Sequence, residues 1–385
     1  MKVFRNFARM MSGAAVAGGG GNWILHGVTM PRGRTRAILL ALMSFLAGCE
    51  GPENATPKQP DSGVALTSFA TVRLKDRDTA YIGKANALAV STKGEFFVTD
   101  MLSRRVLRFD SEGAFVEAIG RGGSGPNEFE GPSWLTSIDD STLAVVDLLR
   151  RQAVLWDLPS KTARARLPLP GMTSPLVYAE GVLYAAAADV EHGTAGIRWR
   201  SPQEAPERLG QVLDVYRDRF WSIWGTVSVD VAGDSILYFG GRSEYVIVAD
   251  SHWQPRDSLP IPRVARRGIP REIDYSLGGG RNIYDIGDQL SNPFGLRILS
   301  GGRYVVFHLD ASVVKNNTAI GRVFMTVVSS TGPSRCVDVL VPSHDPTSIP
   351  RLSFVADTLF VLDHFVAANT AIAEINKYHI GADIC

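Results

Sequence analysis

The feature that most constrains the fold is an apolar strand that ends on aspartate and recurs along the chain. Most neighbouring copies lie about 40 to 50 residues apart, the usual length of a four-stranded repeat unit. One gap is longer and has room for another copy, which ILYFGG supplies without its aspartate at Gly241. The copies FFVTD, LAVVD, LYAAAAD, YVVFHLD and LFVLD end at Asp100, Asp147, Asp189, Asp310 and Asp363.

A turn and a shorter strand precede each copy, and a further strand follows most of them. The clearest unit is Ala87 to Trp134, where LAVS, GEFFVTD, RRVLRFD and AFVEAIG are separated by Gly, Ser, Asp and Lys turns. About four short strands in each repeat of this length are typical of a propeller blade. The pattern predicts an all-β fold, a six-bladed β-propeller of four-stranded antiparallel blades that covers residues 65–385.

The ends of this domain predict how the ring closes. The last unit has only three strands, and Ala65 to Lys75 forms a lone strand before the first unit. If the lone strand becomes the outer edge of the last blade, the ring has no open seam and no unpaired strand at the joint.

The segment GRGGSGPNEFEGP, which follows the first complete unit, carries a resemblance to a known family. Its Gly-rich turn, Pro, acidic residue and Phe resemble the connector between blades of NHL-repeat propellers. The segment also matches G-x-G-x-x-G, but Pro126 and Pro132 follow it in place of a helix, which argues against a dinucleotide site. Arg104-Arg105 and Arg150-Arg151 lie where such repeats often carry Arg, and the preferred interpretation is a salt bridge or hydrogen bond between blades.

The amino-terminal segment predicts export and lipidation. Arg32, Arg34 and Arg36 precede the apolar run 37–46, which is too short to span a bilayer and is typical of a signal peptide. The following L-A-G-C resembles the lipobox of bacterial lipoproteins, which implies lipidation of Cys49. An ordinary signal peptide with an incidental Cys, or an uncleaved anchor, is the alternative.

This interpretation divides the first 64 residues into three parts. Residues 1–29 are expected to lie upstream of the true start at Met30, residues 30–48 form the signal peptide, and residues 49–64 form a Pro-rich flexible tether. The expected location is the bacterial cell envelope, either facing the periplasm or at the cell surface.

Cysteine usage and charge add two expectations. Cys336 and Cys385 are the two cysteines left besides Cys49, and they form a possible disulfide in an oxidising compartment, although both could also stay unpaired. The formal net charge is +1, so nothing favours nucleic acid as a partner. The only expected membrane contact is through the lipid anchor.

The five repeated aspartates are the first candidate binding residues, because symmetry places them at one face of the ring. Together they could bind a cation or a cationic ligand. The preferred interpretation is structural, since an Asp at a strand end accepts hydrogen bonds from backbone N–H groups of the next turn.

Two insertions supply the second set of candidates. YRDRFWSIW at 216–224 and the longer insertion at 263–292 interrupt the repeat, and long loops in a compact domain are often functional. Trp and Arg are common among binding hot spots, although packing between blades is the preferred interpretation of the Trp pair. The residues singled out for binding are Arg217, Arg219, Trp221, Trp224 and Arg266.

The sequence leaves open whether the protein is an enzyme. His192, His308 and His364 fall near the ends of second strands and could bind zinc, as His ligands do in an NHL-type amidating lyase. The odd spacing of His364 places it on the other side of its strand, and no complete calcium set is recognisable. We therefore predict no metal and no cofactor. The favoured function is an envelope module that binds a protein, peptide or glycan; the alternative is a calcium- or zinc-dependent hydrolase or lyase.

Overall fold

The fold is a ring of six four-stranded antiparallel sheets, as the sequence predicts. A computed structural model describes residues 65–75, 81–170, 173–189, 192–211, 227–240, 244–268, 290–314, 318–329, 336–345, 349–367 and 370–381. All of them belong to the compact unit Asp61–Cys385. Within these residues no helix has the length and apolar character needed to cross a membrane.

The first three complete blades are simple meanders in which each strand pairs with its neighbour in the chain. Short runs rich in Val, Leu, Phe and Ala form them, broken by Gly, Asp and Ser turns. Three strands lie outside this simple order: the lone strand β1 (Ala70–Arg73), and the two short strands β6 (Arg121–Gly122) and β7 (Glu128–Phe129) in the connector between blades 1 and 2. Blade 1 contains β2 (Ala85–Val90), β3 (Phe96–Asp100), β4 (Arg105–Phe109) and β5 (Phe115–Ile119). Blade 2 contains β8 (Pro132–Ser137), β9 (Thr142–Asp147), β10 (Gln152–Asp157) and β11 (Thr162–Pro168). Blade 3 contains β12 (Thr173–Ala179), β13 (Val182–Asp189), β14 (Thr194–Trp199) and β15 (Glu207–Leu209).

The remaining blades follow the same order, and two 3-10 turns, at Leu148–Arg150 and Ser300–Gly302, lie next to strands. Blade 4 contains β16 (Val227–Ala232), β17 (Ser235–Gly240), β18 (Tyr245–Ala249) and β19 (Pro255–Pro260). Blade 5 contains β20 (Ser291–Leu299), β21 (Arg303–Val314), β22 (Thr318–Ser329) and β23 (Val339–Leu340). Blade 6 contains β24 (Arg351–Val355), β25 (Thr358–Ala367), β26 (Thr370–His379) and the lone strand β1.

The lone strand closes the ring, which confirms the predicted seam. Strand β1 pairs antiparallel with β26, with Ala70 opposite Lys377 and Arg73 opposite Glu374. The first strand of the domain thus completes the sheet built by the last three. This pairing removes the open edge that a sheet at the chain terminus would otherwise present.

The last two blades differ from the sequence expectation. The second strands of blades 5 and 6 do not end at Asp310 and Asp363 but continue to Val314 and Ala367. Ser291 and Arg351, the first residues of the inner strands of these blades, lie opposite Asp310 and Leu362 of the second strands. Both hairpins therefore extend past the inner strands at the same face of the ring. In these two blades the aspartate lies inside the second strand and does not end it.

The connector between blades 1 and 2 is built as a structural joint. Glu128 accepts hydrogen bonds from Gly125 N at 2.7 Å and Arg121 Nε at 2.8 Å, and Phe129 is buried against Trp156 with ring centroids 5.9 Å apart. Gly120 has a φ of 67°, and a Cβ there would lie 2.4 Å from the Phe129 ring. Strand β8 follows this segment in place of a helix, so its glycines serve close packing.

Apolar side chains from adjacent blades pack between the sheets and hold the ring together. Val98 and Leu107 of blade 1 share one cluster with Leu362 and Ile375 of blade 6, and all four are essentially buried. Cores of this kind, repeated between neighbouring blades, leave the inner strands free to surround the axis.

Candidate functional site

The repeated aspartates are buried, and in blades 1, 2 and 6 they fasten the segment that leads into the blade. The Asp100 side chain is fully buried and accepts hydrogen bonds from the N–H groups of Gly83, Lys84, Leu102 and Ser103, at 3.2, 3.0, 3.2 and 3.4 Å. Gly83 and Lys84 immediately precede the inner strand β2. The carboxylate thus joins the end of the second strand to the start of the first.

Asp147 and Asp363 repeat this arrangement in blades 2 and 6. Asp147 accepts from Glu130 N at 3.1 Å and Gly131 N at 2.8 Å, just before β8. Asp363 accepts from the backbone N–H of His344, at the start of the segment leading to β24, and from the Ser343 hydroxyl at 3.1 Å. Both aspartates are fully buried.

In blades 3 and 5 the aspartate also accepts a hydrogen bond from a backbone N–H group, and charged side chains lie close to it. Asp310 accepts from Arg267 N at 2.9 Å, and burial raises the pKa of its carboxyl despite the nearby arginine charges. Asp189 accepts from the backbone N–H of His192 at 3.2 Å and lies 3.4 Å from Arg208 Nε. Burial opposes ionisation of Asp189, but the His192 and Arg208 contacts lower its pKa. Together, these bonds favour the structural interpretation of the repeated aspartates, and cation binding by the set stays a prediction.

The arginines that follow the marker strands also bond within the propeller. Arg105 Nη2 donates to Tyr81 O at 3.2 Å, and its Nε lies 3.9 Å from Asp100. Arg150 Nε donates to Glu130 Oε1 at 3.2 Å. These arginines support the same lead-in segments that the aspartates hold.

Arg266, a candidate for surface binding, lies inside the protein. Its Nε is 3.0 Å from Asp338 Oδ1, and both side chains are essentially buried. Asp338 also accepts backbone N–H groups from Val264, Ala265 and Arg266, at 2.7 to 3.1 Å. The guanidinium therefore ties the start of the long insertion to blade 5. The other candidates of this set, Arg217, Arg219, Trp221 and Trp224, lie outside the described residues.

The cysteine predictions fall partly outside the described residues. Cys49 and Cys385 are not among them. Cys336 is fully buried, and it shares a core cluster with Tyr378 and Ile380 near the end of the last strand. The pairing of Cys336 with Cys385 stays a prediction.

The histidines are distributed over separate blades. His192 Nδ1 lies 2.9 Å from Asp189, and His344 Nδ1 lies 2.9 Å from Asp363 while its ring stacks on Phe365. His308 is buried against Phe239, where burial and the Arg266 charge hold its pKa well below the usual value. Across the described ranges, no group of three or more His, Cys, Asp or Glu side chains is arranged to hold a metal ion.

The ring axis contains the candidate site, a cavity of about 170 Å³. Residues from the inner strands of all six blades line it, so the site belongs to the whole ring and to no single repeat. Much of its wall is apolar, but charged side chains from three inner strands also face it. The residues that matter below are Trp134, Thr136, Asp230, Phe294, Arg297, Arg351, Ser353 and Phe354.

Asp230 and Arg297 form an ion pair in this wall. Arg297 Nη1 lies 3.2 Å from Asp230 Oδ1, and Ile298 N donates to Asp230 Oδ2 at 2.7 Å. Burial raises the pKa of Asp230, although Arg297 and the backbone donors oppose that rise. The pair joins the inner strands of blades 4 and 5.

Arg351 and Lys84 form a second charged group, this time of one sign. Arg351 Nε donates to the carbonyl of Ala85, the residue after Lys84, at 3.3 Å. Burial lowers the pKa of Arg351 to about 10, and burial together with the Arg351 charge lowers the pKa of Lys84 to about 8. No described carboxylate forms an ion pair with either side chain.

Comparison with known proteins bears on the fold. Residues 62–182 match the family model DUF5128, described as a 6-bladed beta-propeller. The NHL type is not confirmed by this match, but the six-bladed ring is. No curated protein matches the chain.

Two solved structures from Bacteroides share the architecture. A protein of Bacteroides fragilis described as exported has a TM-score of 0.53 at 13% identity, with 85% of this chain and 98% of that chain covered. A DUF4221 member from Bacteroides vulgatus has a TM-score of 0.57 at 10% identity, with 83% and 99% covered. At these identities the likeness shows the fold alone.

Sequence reasoning missed the residues of the axial cavity. Asp230, Arg297 and Arg351 each lie within an inner strand that is otherwise apolar or small, as in VSVDVA, GLRIL and PRLSF. Inner strands line the axis of a propeller, so a charged residue within one was the available signal. The aspartates of the second strands repeated more visibly, but their hydrogen bonds go to the backbone of the propeller.

Proposed function

We propose that this protein is an exported, lipid-anchored binding module of the cell envelope, which takes a protein, peptide or glycan group at the axial cavity. The observation that carries the proposal is the meeting of six inner strands at one cavity that combines aromatic walls with charged side chains. Apolar walls with a few placed polar groups are typical of ligand sites. The exported Bacteroides protein of the same fold supports the proposed location.

The mouth of the cavity supports a ligand that enters from one face. The hairpins of blades 5 and 6 extend past the inner strands at the face where the aspartates lie, and Arg351 begins its inner strand at that face. Phe365 in the blade 6 hairpin stacks on His344, with ring centroids 4.7 Å apart. A side chain or sugar ring that enters from this face would meet the start of the inner strand at Arg351.

The proposal is tested by filling the cavity. The full chain is applied to peptide and glycan arrays prepared from bacterial envelope components, alongside Thr136→Trp and Thr162→Trp. Thr136 lines the cavity, whereas Thr162 is an exposed residue on the outer strand of the same blade. We expect Thr136→Trp to lose binding to the array components that the unsubstituted chain binds, and Thr162→Trp to keep that binding. Equal binding by both variants would place the ligand elsewhere and refute the proposed site.

Elemental analysis separates the binding module from the metal-dependent alternative. The full chain is purified without chelator or metal-affinity resin and measured by elemental mass spectrometry. About one calcium or zinc per chain would favour a hydrolase or lyase and direct the search to lactone and lyase substrates. A metal-free protein that still binds the array ligand fits the binding module.

A further inference from the structure

A pair of cations, Arg351 and Lys84, lies where the inner strands of blades 6 and 1 begin. Arg351 lines the cavity, and its hydrogen bond to Ala85 O places the guanidinium at the start of β2, beside the backbone of the residue that follows Lys84. The Lys84 backbone is itself fixed, because its N–H donates to Asp100 and its carbonyl accepts from Met101 N at 3.0 Å. Backbone contacts thus fix the Lys84 main chain just before β2, at the strand end to which Arg351 bonds, and the Arg351 charge acts on Lys84.

A contribution to folding stability does not explain why two cations lie near each other here. A partly buried cation is usually matched by a carboxylate, as Arg297 is matched by Asp230 in the same cavity. Within the described ranges, Lys84 and Arg351 have no such partner, and they repel each other, as the lowered pKa of Lys84 indicates. Groups that are perturbed in this way and lie in a cavity are common at functional sites.

The cavity itself limits the size and chemistry of a ligand. Trp134, Phe294 and Phe354 supply aromatic surface, and Thr136 and Ser353 supply hydroxyls. The volume of about 170 Å³ is close to that of cavities that admit a benzene ring, about 150 Å³. The space accepts one side-chain-sized group with an anion at its outer end.

We propose that Arg351 and Lys84 form a carboxylate-binding site, which takes a ligand whose carboxylate is attached to an aromatic or aliphatic group of side-chain size. The guanidinium offers a planar fork of donors to the carboxylate, and the ammonium offers a mobile point charge. The apolar part of the ligand enters the cavity between the aromatic walls. This inference rests on the proposed function, because it names the ligand chemistry of the same cavity.

Titration calorimetry of the full chain with benzoate tests the site, with benzamide as a neutral ligand of the same shape and acetate as an anion without the ring. We expect one benzoate site, with at least tenfold weaker binding of benzamide and of acetate. Arg351→Met and Lys84→Met should each weaken benzoate about tenfold, the loss of one charge-assisted bond. The control Lys93→Met removes an exposed lysine of the same blade, paired with Asp140, and should leave benzoate binding unchanged.

Proton linkage provides a second readout that a structural role would not produce. At pH 8 about half of Lys84 is unprotonated, so benzoate binding should take up a fraction of a proton in the wild type and almost none in Lys84→Met. The uptake is measured from the binding enthalpy in buffers of different ionisation enthalpy. If Arg351→Met fails to fold, Arg351→Lys keeps one charge but loses the fork and should also weaken benzoate.

Absence of benzoate binding, or equal binding by Lys84→Met and wild type, would overturn the carboxylate site. Equal affinities for benzoate and acetate would overturn the aromatic or aliphatic part of the ligand. Array binding that Thr136→Trp abolishes would still stand in those cases. The two proposals therefore fail separately.

Discussion

Replacing Asp100 by alanine separates a structural aspartate from a ligand-binding one. The Asp100 carboxylate is fully buried and accepts four backbone N–H groups, two of them in the segment that leads into blade 1. Alanine removes both acceptor oxygens, and with them all four hydrogen bonds, without adding bulk. Asparagine keeps the oxygen that serves Lys84, Leu102 and Ser103, but it places an amide donor near Gly83 N.

We estimate the loss of unfolding free energy from the N–H donors that are best shielded from solvent. Leu102 is exposed, and Ser103 lies at 3.4 Å, so we count only the bonds from Gly83 and Lys84. A hydrogen bond to a charged group contributes about 1.5 kcal/mol at the low end, so Asp100→Ala should lower the free energy of unfolding by about 3 kcal/mol. Asp100→Asn loses one bond of this kind, and we expect about half of that loss.

Urea unfolding, followed by far-UV circular dichroism and tryptophan fluorescence, measures both changes, with the midpoint compared at a constant slope. The control is Asp234→Asn, an exposed turn residue, which should stay within about 0.5 kcal/mol of wild type. A stability loss in the order Ala, Asn and control supports the structural role. If Asp100→Ala unfolds like wild type but loses array binding, the aspartate serves a ligand and the structural interpretation is refuted.

Three further predictions test other features. The unfolding free energy of Lys84→Met should exceed that of wild type most below about pH 8, and the difference should shrink towards pH 10.5. The reason is that the unfolded wild-type chain keeps the Lys84 proton that the folded protein releases over this interval. Urea melts at a series of pH values measure the difference, and a difference that does not change with pH would contradict the prediction. Cys49→Ser should move the protein from the membrane fraction to the soluble envelope fraction, and unchanged partitioning would count against the lipid anchor. Peptide mapping without reductant should find Cys336 linked to Cys385, and recovery of both as free thiols would remove the disulfide.

Features that repeat along the sequence could be predicted from it. Copies of one apolar strand in the sequence were enough to predict six blades and the closing role of β1, because hydrogen bonding between strands demands the same pattern in every blade. The lengths of β21 and β25 were not predictable from the aspartate, since a hairpin can continue beyond the point where its neighbouring inner strand begins.

Single residues were harder to place than repeats. Arg266 looked like a surface residue in a long insertion, but its position depends on Asp338, which is distant in sequence and reaches it only through the fold. Asp230 and Arg351 each occur once, so no periodicity marked them. Their importance depends on the charges and the cavity that surround them.

The sequence by itself determined the local chemistry of this protein: strands that alternate with turns, an aspartate in five of the second strands, and a first strand left without a partner. Those features follow from neighbouring residues and from the repeat. The tertiary structure alone decided that Arg351 bonds to the start of β2, beside Lys84 and more than two hundred residues away in the chain, and that its charge acts on Lys84. Ring closure brings the first and last inner strands together, and electrostatic repulsion between two side chains exists only once that distance is short.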